Sequence, residues 1–257
     1  MTRHTDGSAG DADYGRIGDG YARYRRPEPR IAARIRQALG GARTVLNVGA
    51  GAGSYEPTDL QLTAVEPSAA MRAQRPRHLP PAIDAVAEAL PFADGTFDAA
   101  MASFTVHQWR DLRAGLAELR RVTRGPVVVL SCDPDALDRF WLAEYAPEAL
   151  AVEARRYPRI ETLVEGLGGA VRVEDVPIPL DCSDGFGEAY YGRPEMLLDR
   201  AARLACSAWS FVEPAVVERF ERSLGEDLRS GRWDARHGVL RTQAEFDGSL
   251  RLIVANG

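Results

Sequence analysis

The chain has 257 residues and 32 basic side chains, every one of them an arginine. The missing lysine excludes a Schiff base, a nucleotide P-loop and a kinase-type phosphate lysine, and arginine stays protonated and cannot serve as a base. Apolar residues at 45%, charged residues at 27% and a net charge of −5 suit a globular enzyme and do not describe a dedicated nucleic-acid binder.

The first dozen residues read as a flexible arm, without the apolar core of a signal peptide. Ile31, Ile35 and Leu39 have helical spacing over Arg30 to Leu39, with Pro27 and Pro29 ahead and Gly40-Gly41 behind. Thr44 to Val48 is a buried strand feeding glycines, Gln61 to Val65 a second strand, and Ser68 a cap for a short helix. Further strands are expected over Ile83 to Ala87, Phe97 to Ser103 and Pro126 to Ser131. Leu112, Leu116, Leu119 and Val122 mark a helix between the last two. Beyond these, Ala136 to Tyr145 and Ile160 to Leu167 read as helices, and Val171 to Ile178 and Ser249 to Val254 as strands. Apolar strands alternating with helices imply a mostly parallel sheet covered on both faces, an α/β fold. One domain is expected: an arm and helix over 1–40, a core over 41–180, an inserted cap over 181–238 and a final strand over 239–257.

The strongest local signal is VLNVGAGAG, Val45 to Gly53, a strand running into Gly49, Gly51 and Gly53. Its register departs from the dinucleotide fingerprint, because position 54 is Ser. Glu66 ends the next strand, where an acceptor-only carboxylate can take two ribose hydroxyls. Together the loop and Glu66 describe a nucleoside site at the carboxyl end of a parallel sheet.

With AVEPSAAM, Ala64 to Met71, and AEALPFADGTFDAAMASF, Ala87 to Phe104, these motifs resemble the class I S-adenosylmethionine-dependent methyltransferases, particularly their small-molecule branch. The resemblance spans roughly Tyr21 to Asp133. It implies a Rossmann-like seven-stranded sheet of order 3-2-1-4-5-7-6 with one antiparallel strand, and S-adenosyl-L-methionine as cofactor. It further implies that Gly49, Ala50, Gly51 and Gly53 approach the methionine half and that Glu66, beside Pro67, holds the ribose. Ala87 and Glu88 would read adenine through backbone groups, Met71 and Leu90 would pack on the base, and Ser103 and Phe104 would face the sulfonium. In YARYRRPEPRI, Tyr24 and Arg26 resemble an arm closing over the cofactor, Arg26 pairing with its carboxylate. The sequence departs from the family at Asn47 and Val86, where Asp is frequent, and at Pro57, which shortens the first helix and turns Tyr55 toward the pocket.

Methyl transfer from a sulfonium is an in-line displacement, so positioning dominates and a base is needed only for a protic acceptor. His107, just after the strand ending at Ser103, is the candidate base or acceptor-orienting group; a cap on the following helix, or packing under Trp109, is the other reading. Trp109, Tyr190, Tyr191 and Trp209, with Trp233, would wall a site for a small acceptor. Cys132, Cys182 and Cys206 have neither disulfide nor metal spacing, which fits reduced thiols, a cytoplasmic setting and no metal. No apolar run suits a membrane span. A cyclase on the same fold and a non-catalytic cofactor-binding or partner-binding protein are the alternatives, and the oligomeric state is left open.

Overall fold

A computed structural model describes residues 21–257. The expected flexible arm at the extreme N-terminus lies outside the described residues. Helix α1 (Pro29–Ala38) starts with proline, and the buried Glu28 side chain accepts from Arg30 N at its first turn. Its Ile31 and Ile35 pack on the sheet.

The central sheet has six strands: β1 (Thr44–Val48), β2 (Gln61–Val65), β3 (Ala99–Ser103), β4 (Val127–Cys132), β5 (Val171–Asp175) and β8 (Leu250–Ala255). Their order is β2-β1-β3-β4-β8-β5, and β8 alone runs antiparallel to its neighbours. Successive residues of each strand point to opposite faces. Val45, Met101, Val128 and Leu130 therefore join α1 and the cap on one side. Leu46, Ala100 and Val129 meet Leu116, Leu119 and Leu163 on the other, from helices α3 (Leu112–Val122) and α5 (Ile160–Leu167). The short α2 (Ala69–Ala73) begins where Ser68 Oγ accepts from Met71 N at 3.3 Å, as expected of a cap.

Four expectations need correction. The strand at Ile83 to Ala87 shrinks to a single parallel bridge between Ile83 and Val65, so the expected seventh strand is absent as an element. Pro80 and Pro81 just ahead of it have no N–H to give a ladder. The expected β3 loses its first two residues; Phe97 makes only a bridge to Thr123. The helix over Ala136 to Tyr145 is two 3₁₀ stretches, Pro134–Arg139 and Trp141–Glu144, broken at an extended Phe140. The helix in this region is α4 (Pro147–Arg156), which begins at a proline. The strand over Val171 to Ile178 divides at Pro177. Its end becomes β6 (Ile178–Pro179), paired antiparallel with β7 (Glu245–Phe246) outside the main sheet.

The cap runs between β6 and β7 through short turns, α6 (Arg200–Leu204), the long α7 (Pro214–Ser230) and α8 (Arg232–His237). Its interior is aromatic: Trp233 is fully buried edge-on to Trp141, and Trp209 packs against Phe220.

Candidate active site

The site begins where β1 meets its glycines. Gly49 N and Ala50 N both donate to Val65 O at 2.9 Å, folding the loop back over β2. Gly49 has φ +70°, and a Cβ there would lie 1.9 Å from Thr105 Oγ1. Only glycine meets both demands. Gly51 N donates to Glu66 Oε2 and Ser68 N to Glu66 Oε1, each at 2.8 Å. The Glu66 carboxylate is thus fixed through both oxygens, and each retains a further lone pair. Burial raises its pKa, opposed in part by those two N–H groups.

A cavity opens beside this carboxylate. Its lining brings together Gly49, Ala50, Gly51, Tyr55, Glu66 and Pro67 from the loop and β2. Ala87, Glu88, Ser103, Phe104 and Trp109 complete the wall. The Glu88 carboxylate is engaged elsewhere, accepting from Arg110 N and Asp111 N at 2.7 and 3.1 Å, which leaves its backbone to face the cavity. Met71 and Leu90 are buried outside the lining, with Met71 Cε tucked under Gly51. Gly53 and Arg26 face a separate outer groove. Arg25, one residue from the expected arginine, lines the cavity instead. Tyr24 donates through its hydroxyl to Asp199 at 2.6 Å and so ties the arm to the cap.

Ser54, which the sequence did not single out, and Asn47, noted there as an uncharged departure beside the loop, also line this wall. Asn47 is 2% exposed; its Nδ2 donates to Glu56 Oε1 at 3.0 Å, and Glu56 is held by a buried ion pair with Arg75 at 2.8 Å. Asn47 Oδ1 has no hydrogen-bond partner. A buried acceptor in that condition is costly unless a donor arrives. This orphaned oxygen, the doubly held Glu66 and the glycines that admit no Cβ fit S-adenosyl-L-methionine, which carries an ammonium, a ribose diol and a main-chain-like half.

A second cavity lies under the cap and shares Arg25 and Phe104 with the first. Phe104 stands at the partition with φ +52°, and Tyr55 nearby has φ +64°. Such values are uncommon for bulky side chains and are held by tertiary contacts. The Phe104 ring lies 6.2 Å from Tyr55 and 5.4 Å from Phe186, with the Arg25 guanidinium over its face at 5.3 Å. Asp184, 2% exposed, accepts from Arg25 Nε at 2.6 Å and from the Tyr55 hydroxyl at 2.7 Å. One cap carboxylate therefore locks the arm, the glycine loop and the partition.

His107 lines this second cavity from the 3₁₀ turn Val106–Gln108, with its ring 4.4 Å from that of Tyr157. Trp209 lines it too. Trp109 does not: it borders the first cavity and covers Gly115 of α3. Tyr190 and Tyr191 were expected in the acceptor wall, but neither lines either of these two cavities. Tyr191 stacks on Phe246 and donates to Gln243 O at 2.6 Å, and Tyr190 packs against Gly185. They fasten the cap, because their hydroxyl-bearing rings are buried in its seam.

The polar lining of the second cavity escaped the sequence. Glu153, Tyr157, Glu188, Cys132 and Cys206 all border it. Burial pushes Glu188 up to about 7 and also raises Glu153. Cys206 is pushed up to about 12, and Cys132 and Tyr157 rise beyond the usual range, again through burial. The thiols are therefore protonated and inert at neutral pH. No motif carries these residues; Glu153 sits on α4, which periodicity did not reveal.

Residues 46–129 match the family model of the methyltransferase domain. That stretch is a methyltransferase domain. The methyltransferase fold extends over nearly the whole length of the chain. A crystal structure from Anabaena variabilis, described as a methyltransferase of an antibiotic biosynthesis pathway, is 28% identical with a TM-score of 0.84. That likeness covers 91% of this chain and 99% of the other. A SAM-dependent methyltransferase from Archaeoglobus fulgidus is 16% identical, TM-score 0.52, over 95% and 100% of the two chains. The [4+2]-cyclase SpnF is 16% identical, TM-score 0.50, over 88% and 80%. The last two likenesses show the fold alone. No curated protein matches the sequence. Among the described residues no cluster of metal-ligating side chains occurs, and no helix is long and apolar enough to cross a membrane.

Proposed function

We propose that this methyltransferase domain moves the methyl group of S-adenosyl-L-methionine to a small organic acceptor held in the cap cavity. The observation that carries the reading is the meeting of two cavities at Arg25 and Phe104, one suited to a nucleoside and the other closed over by aromatic rings. In the first, Glu66 would accept the ribose hydroxyls, Asn47 Oδ1 the ammonium, and the backbone of Ala87 and Glu88 would border the base. Bound there, the cofactor supplies an electrophilic methyl group on a positively charged sulfur.

The chain's own part is positioning. Ser103 ends β3 and Phe104 follows it at the partition, so an acceptor resting on Phe104 approaches from the side opposite the glycine loop. The chemistry the bound cofactor would supply is in-line displacement at its methyl carbon by the acceptor atom, with sulfur taking the electron pair of the broken bond. Holding the three centres in line contributes several kcal/mol. If the acceptor atom carries a proton, His107 lines the cavity that receives it and is the base we assign. Arg25, with its charge matched by Asp184, is held at the junction of the two cavities.

Incubation with labelled cofactor and a panel of small acceptors tests this. S-adenosylhomocysteine and a methylated product in equal amounts are expected. Cofactor binding with product formed from an acceptor but no S-adenosylhomocysteine would mark a non-methylating enzyme, such as a cyclase, and overturn the reading.

A further inference from the structure

The second cavity has a charge character that a purely apolar acceptor does not need. Its walls are rings and aliphatic side chains: Phe104, Phe140, Phe186 and Trp209 among them. Set into these walls are two carboxyl groups, Glu153 from α4 and Glu188 from the cap. The placement of Glu188 is built. Ser249 N donates to it at 2.9 and 3.1 Å and Ser249 Oγ at 2.5 Å. The neighbouring Gly248 leaves its space open; a Cβ there would lie 2.5 Å from Glu188 Oε1.

Of the nearby positive charges, Arg156 does most to lower the Glu153 pKa and donates to Ser207 Oγ at 2.9 Å, and the other two are paired with other carboxylates. Arg25 is paired with Asp184 at 2.6 Å, and Arg251 faces Asp175 at 3.0 Å and Asp133 at 3.5 Å. Burial makes both carboxyls hold their protons more tightly, outweighing these arginines, and a cation entering the cavity would relieve that cost. Aromatic faces around a carboxylate are also the surroundings in which an organic ammonium is bound through its charge and its alkyl surface together.

We propose that the cap cavity selects an acceptor bearing a protonated nitrogen, held by Glu153 and Glu188 against the aromatic walls. The inference rests on the reading of this cavity as the acceptor site and adds the class of acceptor. A protonated nitrogen has no lone pair for a methyl group, so the contact positions the molecule and the methylated atom is elsewhere on it. Glu188 is faced by Glu153 and Arg251, and across the cavity by Cys132, Tyr157, His107 and Arg25.

The experiment uses the full chain loaded with S-adenosylhomocysteine, and two probes of equal shape, phenethylamine, an ammonium at neutral pH, and 2-phenylethanol. Calorimetry in buffers of different ionisation enthalpy reads affinity and proton release together. The ammonium is expected to bind at least about tenfold more tightly, as for a charge-assisted contact. It should release about half a proton at pH 7 from a group titrating near about 7. Glu188→Gln and, separately, Glu153→Gln should each lower ammonium affinity by about tenfold and leave the alcohol unchanged. The alcohol thereby reports that the variant cavity is intact. Equal affinity for the two probes, no binding of either at millimolar concentration, or Gln variants that keep the ammonium preference overturn the proposal. Failure of S-adenosylhomocysteine itself to bind is a different result and would count against the methyltransferase reading.

Discussion

Replacing Glu66 by Gln is the most informative single change in the cofactor cavity. The native carboxylate spends one lone pair of each oxygen on Gly51 N and Ser68 N, both at 2.8 Å, and offers the others to the cavity. Gln has the same shape but one acceptor oxygen. Its amide group must then face an N–H it cannot accept, or turn outward and present a donor to ribose hydroxyls. One or two charge-assisted hydrogen bonds are lost, at about 1.5–3 kcal/mol each, so affinity for S-adenosylhomocysteine should fall about 10- to 10⁴-fold. Calorimetric titration of both proteins, with thermal melting as the check on folding, measures this. The pH dependence gives a second reading. Burial raises the Glu66 pKa, and the ionised form is the one that accepts two hydroxyls. Native affinity should therefore weaken as pH falls through that raised pKa, with proton release on binding near it, and the Gln variant should lack this dependence. An affinity within twofold of native, with an unchanged pH profile, would refute the ribose assignment.

Other changes probe the frame. Gly49→Ala forces a Cβ into Thr105 at a positive φ, so a loss of about 2–4 kcal/mol is expected in denaturant melts, only partly restored by adding Thr105→Ala, since the strain at φ remains. Asp184→Asn removes the charge that Arg25 and Tyr55 share, at a cost of about 3–5 kcal/mol. Cleavage by a protease should then increase first near residues 24–30, and a uniform increase along the chain would contradict a local latch. His107→Ala should lower turnover of a proton-bearing acceptor by about 10²- to 10⁴-fold, as loss of a general base does, while cofactor affinity stays within about twofold, because His107 lines the cap cavity and not the first one. Retention of full activity with the native pH profile would remove it as base.

Much of the frame was legible because it depends on local chemistry. β1 and β2 have the bounds that their apolar runs indicate, and the loop's glycines are where the backbone must turn. Glu66 was legible because it ends a strand beside that loop. The losses occurred where tertiary contact decides. Pro80 and Pro81 reduce an apolar segment to one bridge, and Phe140 splits a helical pattern by turning its ring into the core. The choice between Arg25 and Arg26 depends on Asp184, which lies 159 residues from Arg25. Aromatic residues in the cap were visible as a group, but their division into wall and seam was not. Tyr191 and Trp209 have the same sequence character, and only packing assigns one to the seam and the other to the cavity.

The small ribbon of β6 and β7 has a consequence for how such a protein can change. Leu180 N donates to Ala244 O at 2.9 Å, so the cap leaves and rejoins the core at adjacent points. A segment whose two ends are already paired adds little further chain-closure entropy when lengthened, because that cost grows only slowly with loop size. The six-stranded sheet has its own register, none of it drawn from the cap. If the cap holds the acceptor as proposed, acceptor choice can diversify by exchange of the inserted module at a nearly constant core, provided that the exchanged piece keeps a carboxylate at position 184 to hold Arg25 and Tyr55.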